Sequence, residues 1–299
     1  VVSLDASNGG LAVSADSAGK LKIWLTSTGE VRRELEGHYG DVYTCRLFPS
    51  GIVVLSGGAD MQLKIWSAET GKCAANIIGH TAAILDTAVV DRGRNVVSCS
   101  KDGTAKLWDV GQQQCLSTFT EIGGNVNCCS LGSIEGAISL EEPRGPVNER
   151  EVMTSGKLLL VGCENSTLQG YGLQNRQKIF ELGCHDAVNC SCFLSENTAV
   201  CGTQSGHITV VDLRNYRVPL KEWKESRSAI LSLAPHKTGF FTSTGDGSCF
   251  YVDGQYNTMM ELTGPDCDPV YKVVCNDTHI YTSCRDGTVR KYNLSDTGI

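Results

Sequence analysis

The chain has 299 residues, 41% of them hydrophobic, and a formal charge of −7, which is typical of a folded globular protein. No run of about 18 apolar residues occurs, so no membrane-spanning helix is expected. The acidic balance disfavours a nucleic acid or an anionic membrane as partner, because those surfaces require clustered lysine and arginine, whereas a basic protein partner is compatible with it.

Fifteen cysteines are spread along the chain, many of them inside apolar, strand-like segments such as "VNCCSL" and "VNCSCFL". No CxxC pair occurs, so neither a metal site nor a disulfide framework is expected, and no cofactor is implied. Free cysteines used as small buried side chains are typical of a reducing compartment. We therefore expect an intracellular protein of the cytoplasm or the nucleus.

Short strand-like segments and tight turns recur along the chain at a fixed spacing. Each unit ends its third strand at a large or apolar residue, and successive spacings between these residues are 42, 42, 63, 40, 41 and 40. The residues are Trp24, Trp66, Trp108, Tyr171, Val211, Val252 and Tyr292. Four short strands in about 40 residues is the pattern of one propeller blade. The sequence predicts an all-β, seven-bladed propeller of four-stranded antiparallel blades, in one domain over residues 1–299.

Two irregularities interrupt this repeat. The last unit has sequence for three strands, so we expect residues upstream of Val1 to supply the fourth strand of the seventh blade. The spacing of 63 holds about 21 additional residues, which predicts a surface insertion at about residues 134–156. Its polar sequence with both proline and glycine is typical of a mobile loop, which is either a tolerated insertion or a partner contact.

The segments "GHYGDVYTC" and "GHTAAILDT", with the strands and turns after them, resemble WD repeats, most clearly in the second and third units. In that family a His, a Ser or Thr, an Asp and a Trp form one hydrogen-bonded chain in a blade. The resemblance implies two such sets: His38, Ser56, Asp60 and Trp66, and His80, Ser98, Asp102 and Trp108. A Ser-His-Asp nucleophilic triad is the alternative, but a set that recurs in two units is better explained as scaffold.

The last units depart from this set, because Cys201, Thr242 and Thr282 occupy the Ser position. We expect apolar packing to contribute more there. The sequence contains no GxSxG, HExxH or P-loop motif, so a non-enzymatic binding protein is favoured over a propeller enzyme. A closed ring needs no second copy, so we expect a monomer.

Two longer stretches, "KLKIW" to "QQQCL" and "NRQKIFELGCHDAVNCSCFL", resemble a family of WD-repeat chaperones of the proteasome regulatory particle. That resemblance implies that the partner is a proteasomal ATPase subunit, bound through its C-terminal region and held in an assembly intermediate. The alternative is a substrate receptor or scaffold of another complex, such as a ubiquitin ligase.

Resemblance to WD repeats also implies which loops form a binding face: those that lead into each innermost strand, and the turns between second and third strands. For each residue at these positions, the alternative is an ordinary solvated side chain. The candidate residues are Asp41, Tyr43, Asp86, Lys101, Asp186, Asn189, Arg227, Asp268, Tyr271 and Arg285.

Overall fold

The computed structural model describes residues 1–134, 138, 141, 143, 147–265, 267–296 and 298. Within these residues the chain forms 27 strands, β1 to β27, and two 3-10 turns, Leu213–Asn215 and Leu294–Asp296. Neither helical turn in this part of the chain has the length or the apolar character needed to cross a bilayer.

The strands form seven sheets, which we number as blades 1 to 7 in chain order. Blade 1 contains β1 Ser3–Ala6, β2 Leu11–Ala15, β3 Leu21–Leu25 and β4 Val31–Leu35. Blade 2 contains β5 Val42–Leu47, β6 Val53–Gly58, β7 Gln62–Ser67 and β8 Cys73–Ile78. Blade 3 contains β9 Ile84–Val90, β10 Asn95–Ser100, β11 Ala105–Asp109 and β12 Gln114–Phe119. Blade 4 contains β13 Val126–Ser133, β14 Lys157–Cys163, β15 Thr167–Gly172 and β16 Lys178–Gly183.

The remaining blades follow the same order. Blade 5 contains β17 Val188–Ser195, β18 Thr198–Thr203, β19 His207–Asp212 and β20 Lys221–Lys224. Blade 6 contains β21 Ile230–His236, β22 Gly239–Thr244, β23 Cys249–Val252 and β24 Thr258–Glu261. Blade 7 contains β25 Val270–Cys275, β26 His279–Cys284 and β27 Val289–Asn293. The predicted seven-bladed, all-β propeller is confirmed.

Every blade is an antiparallel meander in which each strand pairs with the next one along the chain. The first strands of neighbouring blades contact one another, from β1 and β5 around to β25 and β1, so they surround the central axis. Residues of the first and second strands are largely buried, and the fourth strands are mostly exposed. The hydrophobic clusters therefore lie between adjacent blades.

A small residue near the end of each second strand allows adjacent blades to approach closely. A Cβ at Gly57, Gly162 or Gly202 would lie 2.8, 2.5 or 2.4 Å from its nearest neighbour. The nearest neighbour is Ile84 at the first of these positions and Ile230 at the last, each in the first strand of the next blade. The other blades have Ala15, Cys99, Ser243 and Ser283 at the equivalent positions. Because the residue is small, a β-branched side chain can insert there without strain.

Blade 7 packs against blade 1 and brings the two ends of the described chain together. Asn8 Nδ2 donates to Asp277 Oδ2 at 2.7 Å, and the amino group of Val1 donates to the carbonyl of Cys284 at 3.1 Å. The rings of Trp24 and Tyr281 meet edge to face at 6.0 Å. Among the described residues β27 pairs only with β26, and the expected fourth strand from residues upstream of Val1 stays a prediction.

The insertion is only partly described: residues 135–137, 139–140, 142 and 144–146 lie outside the described residues. Residues 147–156 run along blade 3, where the sequence predicted a mobile loop. Asn95 donates to the carbonyl of Arg150 at 3.1 Å and accepts the N–H of Val152 at 2.7 Å, and Thr154 is buried. These contacts anchor this part of the insertion.

Candidate functional site

In blade 3, four side chains form one hydrogen-bonded chain from the outer part of the blade to its turn. Trp108 Nε1 donates to Ser98 Oγ at 2.8 Å, and Ser98 Oγ lies 2.7 Å from His80 Nε2. His80 Nδ1 lies 2.7 Å from Asp102 Oδ2, which also accepts the N–H of Thr81 at 3.0 Å. Because the indole can only donate, Ser98 Oγ accepts from Trp108 and its hydroxyl proton is free to point at His80.

Blade 2 repeats the arrangement with the same geometry. Trp66 Nε1 donates to Ser56 Oγ at 2.8 Å, Ser56 Oγ lies 2.7 Å from His38 Nε2, and His38 Nδ1 lies 2.8 Å from Asp60 Oδ2. Both serines are fully buried, so no substrate can reach either hydroxyl. The two sets therefore join the loop after one blade to the second and third strands of the next, which is a scaffolding role.

A neutral imidazole at His80 satisfies every hydrogen bond of this set in blade 3. Burial lowers the pKa of His80 and outweighs the nearby Asp102 carboxylate, which raises it. A neutral His80 can donate from Nδ1 to Asp102 while it accepts from Ser98 at Nε2. Burial alone would raise the pKa of Asp102, but hydrogen bonds from Thr104, Thr81 and His80 lower it below its ordinary value.

Blade 4 replaces this set with another buried polar pair. Tyr171 Oη donates to Gln169 Oε1 at 2.7 Å, and Gln169 Nε2 donates to the carbonyl of Ile122 at 2.9 Å. Gln169 is buried, as Ser98 is in blade 3. In blade 4, Gln169 and Tyr171 thus connect the preceding loop to the blade, as His80 and Ser98 do in blade 3. Because the residue types differ, the WD-repeat pattern in the sequence does not reveal this contact.

A polar channel runs along the axis, with a cavity of about 570 Å³ lined by the first strands. Asp86 accepts from Arg46 Nη2 at 3.4 Å and from the N–H of Cys129 at 3.1 Å, so it links blades 2, 3 and 4. Asp5 Oδ2 accepts the N–H of Leu47 at 2.7 Å, and burial raises the pKa of Asp5. Carboxylates in the channel therefore join successive blades.

We define the upper face as the loops that connect successive blades together with the turns between second and third strands. It comprises residues 16–20, 36–41, 59–61, 79–83, 101–104, 120–125, 164–166, 184–187, 204–206, 225–229, 245–248, 262–265, 267–269 and 285–288. The lower face comprises the remaining connections among the described residues, including the described part of the insertion.

The structure separates the ten candidate binding residues into two groups. The first group lies on the upper face: Asp41, Lys101, Asp186, Arg227, Asp268 and Arg285. The second group lies in first strands and lines the axial channel: Tyr43, Asp86, Asn189 and Tyr271. The sequence could not separate them, because a shift of two or three residues along a strand moves a side chain from the rim to the interior.

The described residues of the upper face include twelve carboxylates and four cations, and two of these carboxylates, Asp60 and Asp102, point into their blades with side chains that are 6% and 7% exposed. The carboxylates are Asp16, Glu36, Asp41, Asp60, Asp102, Glu121, Glu164, Asp186, Glu225, Asp246, Asp268 and Asp286, and the cations are Lys20, Lys101, Arg227 and Arg285. On the lower face outside the insertion there are six acidic and seven basic residues. The negative charge of the described chain is therefore concentrated on one face.

An exposed aromatic residue on this face was not identified from the sequence. Tyr39 is 83% exposed, and its N–H donates to Asp60 Oδ2 at 3.3 Å. Met61, 41% exposed, lies in the adjoining turn of blade 2. Tyrosine side chains held on an ordered backbone are frequent anchors of protein interfaces. In the sequence, Tyr39 stood out only as the residue after His38. Because His38 belongs to the hydrogen-bonded set of blade 2, that position indicated a structural role and not a binding role.

Seven meander sheets around an axis, with the recurring His-Ser-Asp-Trp chain in blades 2 and 3, define a WD-repeat propeller. The family described as "WD domain, G-beta repeat" matches residues 29–67 and 71–109. Propellers of this kind are typically scaffolds for protein interaction.

Similarity over the whole chain is more specific. The human and chicken proteins named "Proteasomal ATPase-associated factor 1" are 54% and 52% identical over 290 residues, which cover 97% of this chain and 74% of each relative. The "Probable proteasomal ATPase-associated factor 1" of Dictyostelium discoideum is 39% identical over 306 residues, covering 95% of this chain and 72% of that relative. The chain belongs to the proteasomal ATPase-associated factor 1 family.

Proposed function

We propose that this protein is a non-enzymatic assembly chaperone of the proteasome regulatory particle that binds the C-terminal region of an ATPase subunit. The names of its relatives support an association with proteasomal ATPases. The observation that carries the proposal is the concentration of carboxylates on the upper face, since it gives a rigid ring one surface suited to a basic partner. Bound there, the chaperone would block docking of the ATPase tail until it is released.

Tyr39 and Met61 supply apolar contact area within this charged surface. The carboxylates around them favour encounter with a basic domain and discriminate against acidic ones, whereas the buried contact of an aromatic anchor contributes most to affinity. We therefore place the aromatic anchor of the interface at blade 2, and the carboxylates of the other upper-face loops contribute around it. The protein acts in the cytoplasm or nucleus, which is supported by fifteen free cysteines.

The experiment has two stages. The tagged protein is first used to capture partners from a cell extract, and mass spectrometry identifies them. Proteasomal ATPase subunits are the expected partners, and their absence, or the presence of cullin adaptors in their place, would contradict the proposal.

Affinity for the captured ATPase subunit is then measured with purified proteins. The variant with Asp41→Lys and Asp186→Lys should bind on the order of tenfold more weakly than the wild type, because both changes oppose a basic partner. The matched control carries Glu69→Lys and Glu196→Lys, two charge reversals at exposed lower-face positions. Equal loss of affinity in both variants would show that the upper face is not the binding surface.

A further inference from the structure

Blade 5 differs from blades 2 and 3 at two interacting positions at once. Cys184 lies in the loop before blade 5, where His80 lies before blade 3, and Cys201 occupies the position of Ser98 in the second strand. The sulfur atoms of Cys184 and Cys201 are 3.9 Å apart, whereas His80 Nε2 and Ser98 Oγ are 2.7 Å apart. A pair of thiols therefore replaces the imidazole–hydroxyl pair.

The neighbouring histidine does not take this position, although its sequence context "GCH" suggests that it could. His185 Nε2 lies 3.2 Å from Glu222 Oε2, and its ring stacks on that of His207 with centroids 4.3 Å apart. His185 thus contacts the third and fourth strands of blade 5. Cys184 is the residue that points toward Cys201.

The two thiols differ in accessibility and in acidity. Cys184 is half-buried, and Cys201 is fully buried in the cluster that blades 4 and 5 share. The hydrogen bond from the Cys201 thiol lowers the pKa of Cys184, and the same contact together with burial raises the pKa of Cys201. Cys184 is therefore both the more reachable thiol and the one more easily converted to the nucleophilic thiolate.

We propose that Cys184 and Cys201 are a redox-sensitive dithiol that a hydroperoxide oxidises to a disulfide between blades 4 and 5. The Cys184 thiolate attacks one oxygen of the hydroperoxide, the O–O bond breaks, and the other oxygen leaves as an alcohol or water after taking up a proton. Cys184 is then a sulfenic acid. The Cys201 sulfur attacks it, the S–S bond forms, and water leaves with the thiol proton. The peroxide has gained the two electrons that the thiols have lost.

A disulfide between Cys184 and Cys201 requires only a local movement of the loop that carries Cys184. The sulfurs must approach from 3.9 Å to about 2.05 Å, and Cys184 belongs to the connecting loop at residues 184–187, outside any strand. That loop is part of the upper face and carries Asp186. Oxidation fixes it to β18. Any effect on partner binding rests on the proposed function, whereas formation of the disulfide does not.

The test uses the whole chain with the three exposed cysteines removed by Cys73→Ser, Cys115→Ser and Cys267→Ser, so that copies do not cross-link. The folded protein is treated with hydrogen peroxide, then unfolded in guanidinium chloride with N-ethylmaleimide so that every remaining thiol is alkylated, and digested without reduction for mass spectrometry. We expect one dominant cross-linked peptide pair that contains Cys184 and Cys201, the loss of two alkylatable thiols, and their return after dithiothreitol.

Two variants separate chemistry from structure. With Cys201→Ser, Cys184 should stop at the sulfenic acid, which dimedone traps. The double variant Cys184→His with Cys201→Ser rebuilds the pair of residues found in blades 2 and 3 and should fold without any response to peroxide at these positions. A Cys184 that resists peroxide in the folded chain, or a preference of either thiol for another cysteine, would overturn the inference. Neither result would bear on capture of ATPase subunits.

Discussion

Among the described residues, Ser98 Oγ is the one hydrogen-bond partner of both Trp108 Nε1 and His80 Nε2. It accepts from the Trp108 indole and lies 2.7 Å from His80 Nε2 inside a fully buried site. Removing it leaves a buried donor and a buried acceptor without hydrogen bonds, and each such group costs about 1–3 kcal/mol. At the scale of single residues, the repeated polar set therefore acts by stabilising its blade.

Replacement of this hydroxyl tests that role. Ser98→Ala should lower the free energy of unfolding by about 2 kcal/mol or more, because two buried groups lose their partner, and urea denaturation measures the change. Ser27→Ala, at an exposed serine in a turn of blade 1, is the control and should change it by less than about 0.5 kcal/mol. If both variants unfold at the same urea concentration, the buried hydrogen bonds of Ser98 contribute nothing to the free energy of unfolding.

The neutral imidazole in the same site makes stability depend on pH. The pKa of His80 is lowered on folding, so the unfolded chain binds a proton more readily than the folded one. The resulting stability is complete above about pH 6.5, the ordinary pKa of histidine, and is lost as the pH falls through the folded value. The lowered pKa of Asp102 acts in the same direction, but only at more acidic pH.

We expect the free energy of unfolding to decrease between about pH 7.5 and about pH 5.5, and to decrease less in the variant His80→Gln. Glutamine does not titrate, and its amide can still donate to Asp102. Urea denaturation at a series of pH values measures the slope. An unchanged slope in the variant would show that His80 does not titrate differently in the two states.

At the scale of strands and sheets, the ring depends on close contact between the second strand of one blade and the first strand of the next. A Cβ at Gly202 would lie 2.4 Å from Ile230 Cγ2, and there is no flexible side-chain end to move aside. A Cβ at Gly183, at the end of β16, would meet no neighbouring atom within 4 Å, and the φ of Gly183 is not positive. A side chain is therefore accommodated at Gly183 but not at Gly202.

Gly202→Val should therefore destabilise the protein by about 1–3 kcal/mol or more through overpacking, whereas Gly183→Ala should be nearly neutral. Thermal unfolding followed by circular dichroism compares the two variants. Tolerance of valine at Gly202 would mean that adjacent blades are not packed as closely as the structure shows.

Repeat spacing was sufficient to predict the seven blades because each blade needs the same small residues, the same turns and a large or apolar residue at the end of its third strand. It could not show that Asp86 turns into the channel, since rim and channel positions follow one another within a single strand. Nor could it show that Asn95 binds the insertion or that Cys184 replaces a histidine, because these contacts join segments from different blades. The local sequence pattern thus predicted the blades. The contacts between residues of different blades could be identified only from the structure.

At the scale of the whole molecule, the fold presents two faces of different charge on one rigid ring. The upper face has twelve carboxylates and four cations among its described residues, whereas the lower face outside the insertion is nearly balanced. Charges held on short loops between packed sheets keep their positions, so the field of the upper face is permanent. A basic partner is therefore expected to approach from one side only.

Hydrogen–deuterium exchange in the presence and absence of a purified proteasomal ATPase subunit tests this central claim most directly. We predict slower exchange on binding in the upper-face loops at residues 36–41, 59–61 and 184–187, and unchanged exchange in the lower-face turns at residues 68–72 and 253–257. Protection confined to the lower-face turns, or no protection at a saturating concentration of the subunit, would contradict the account.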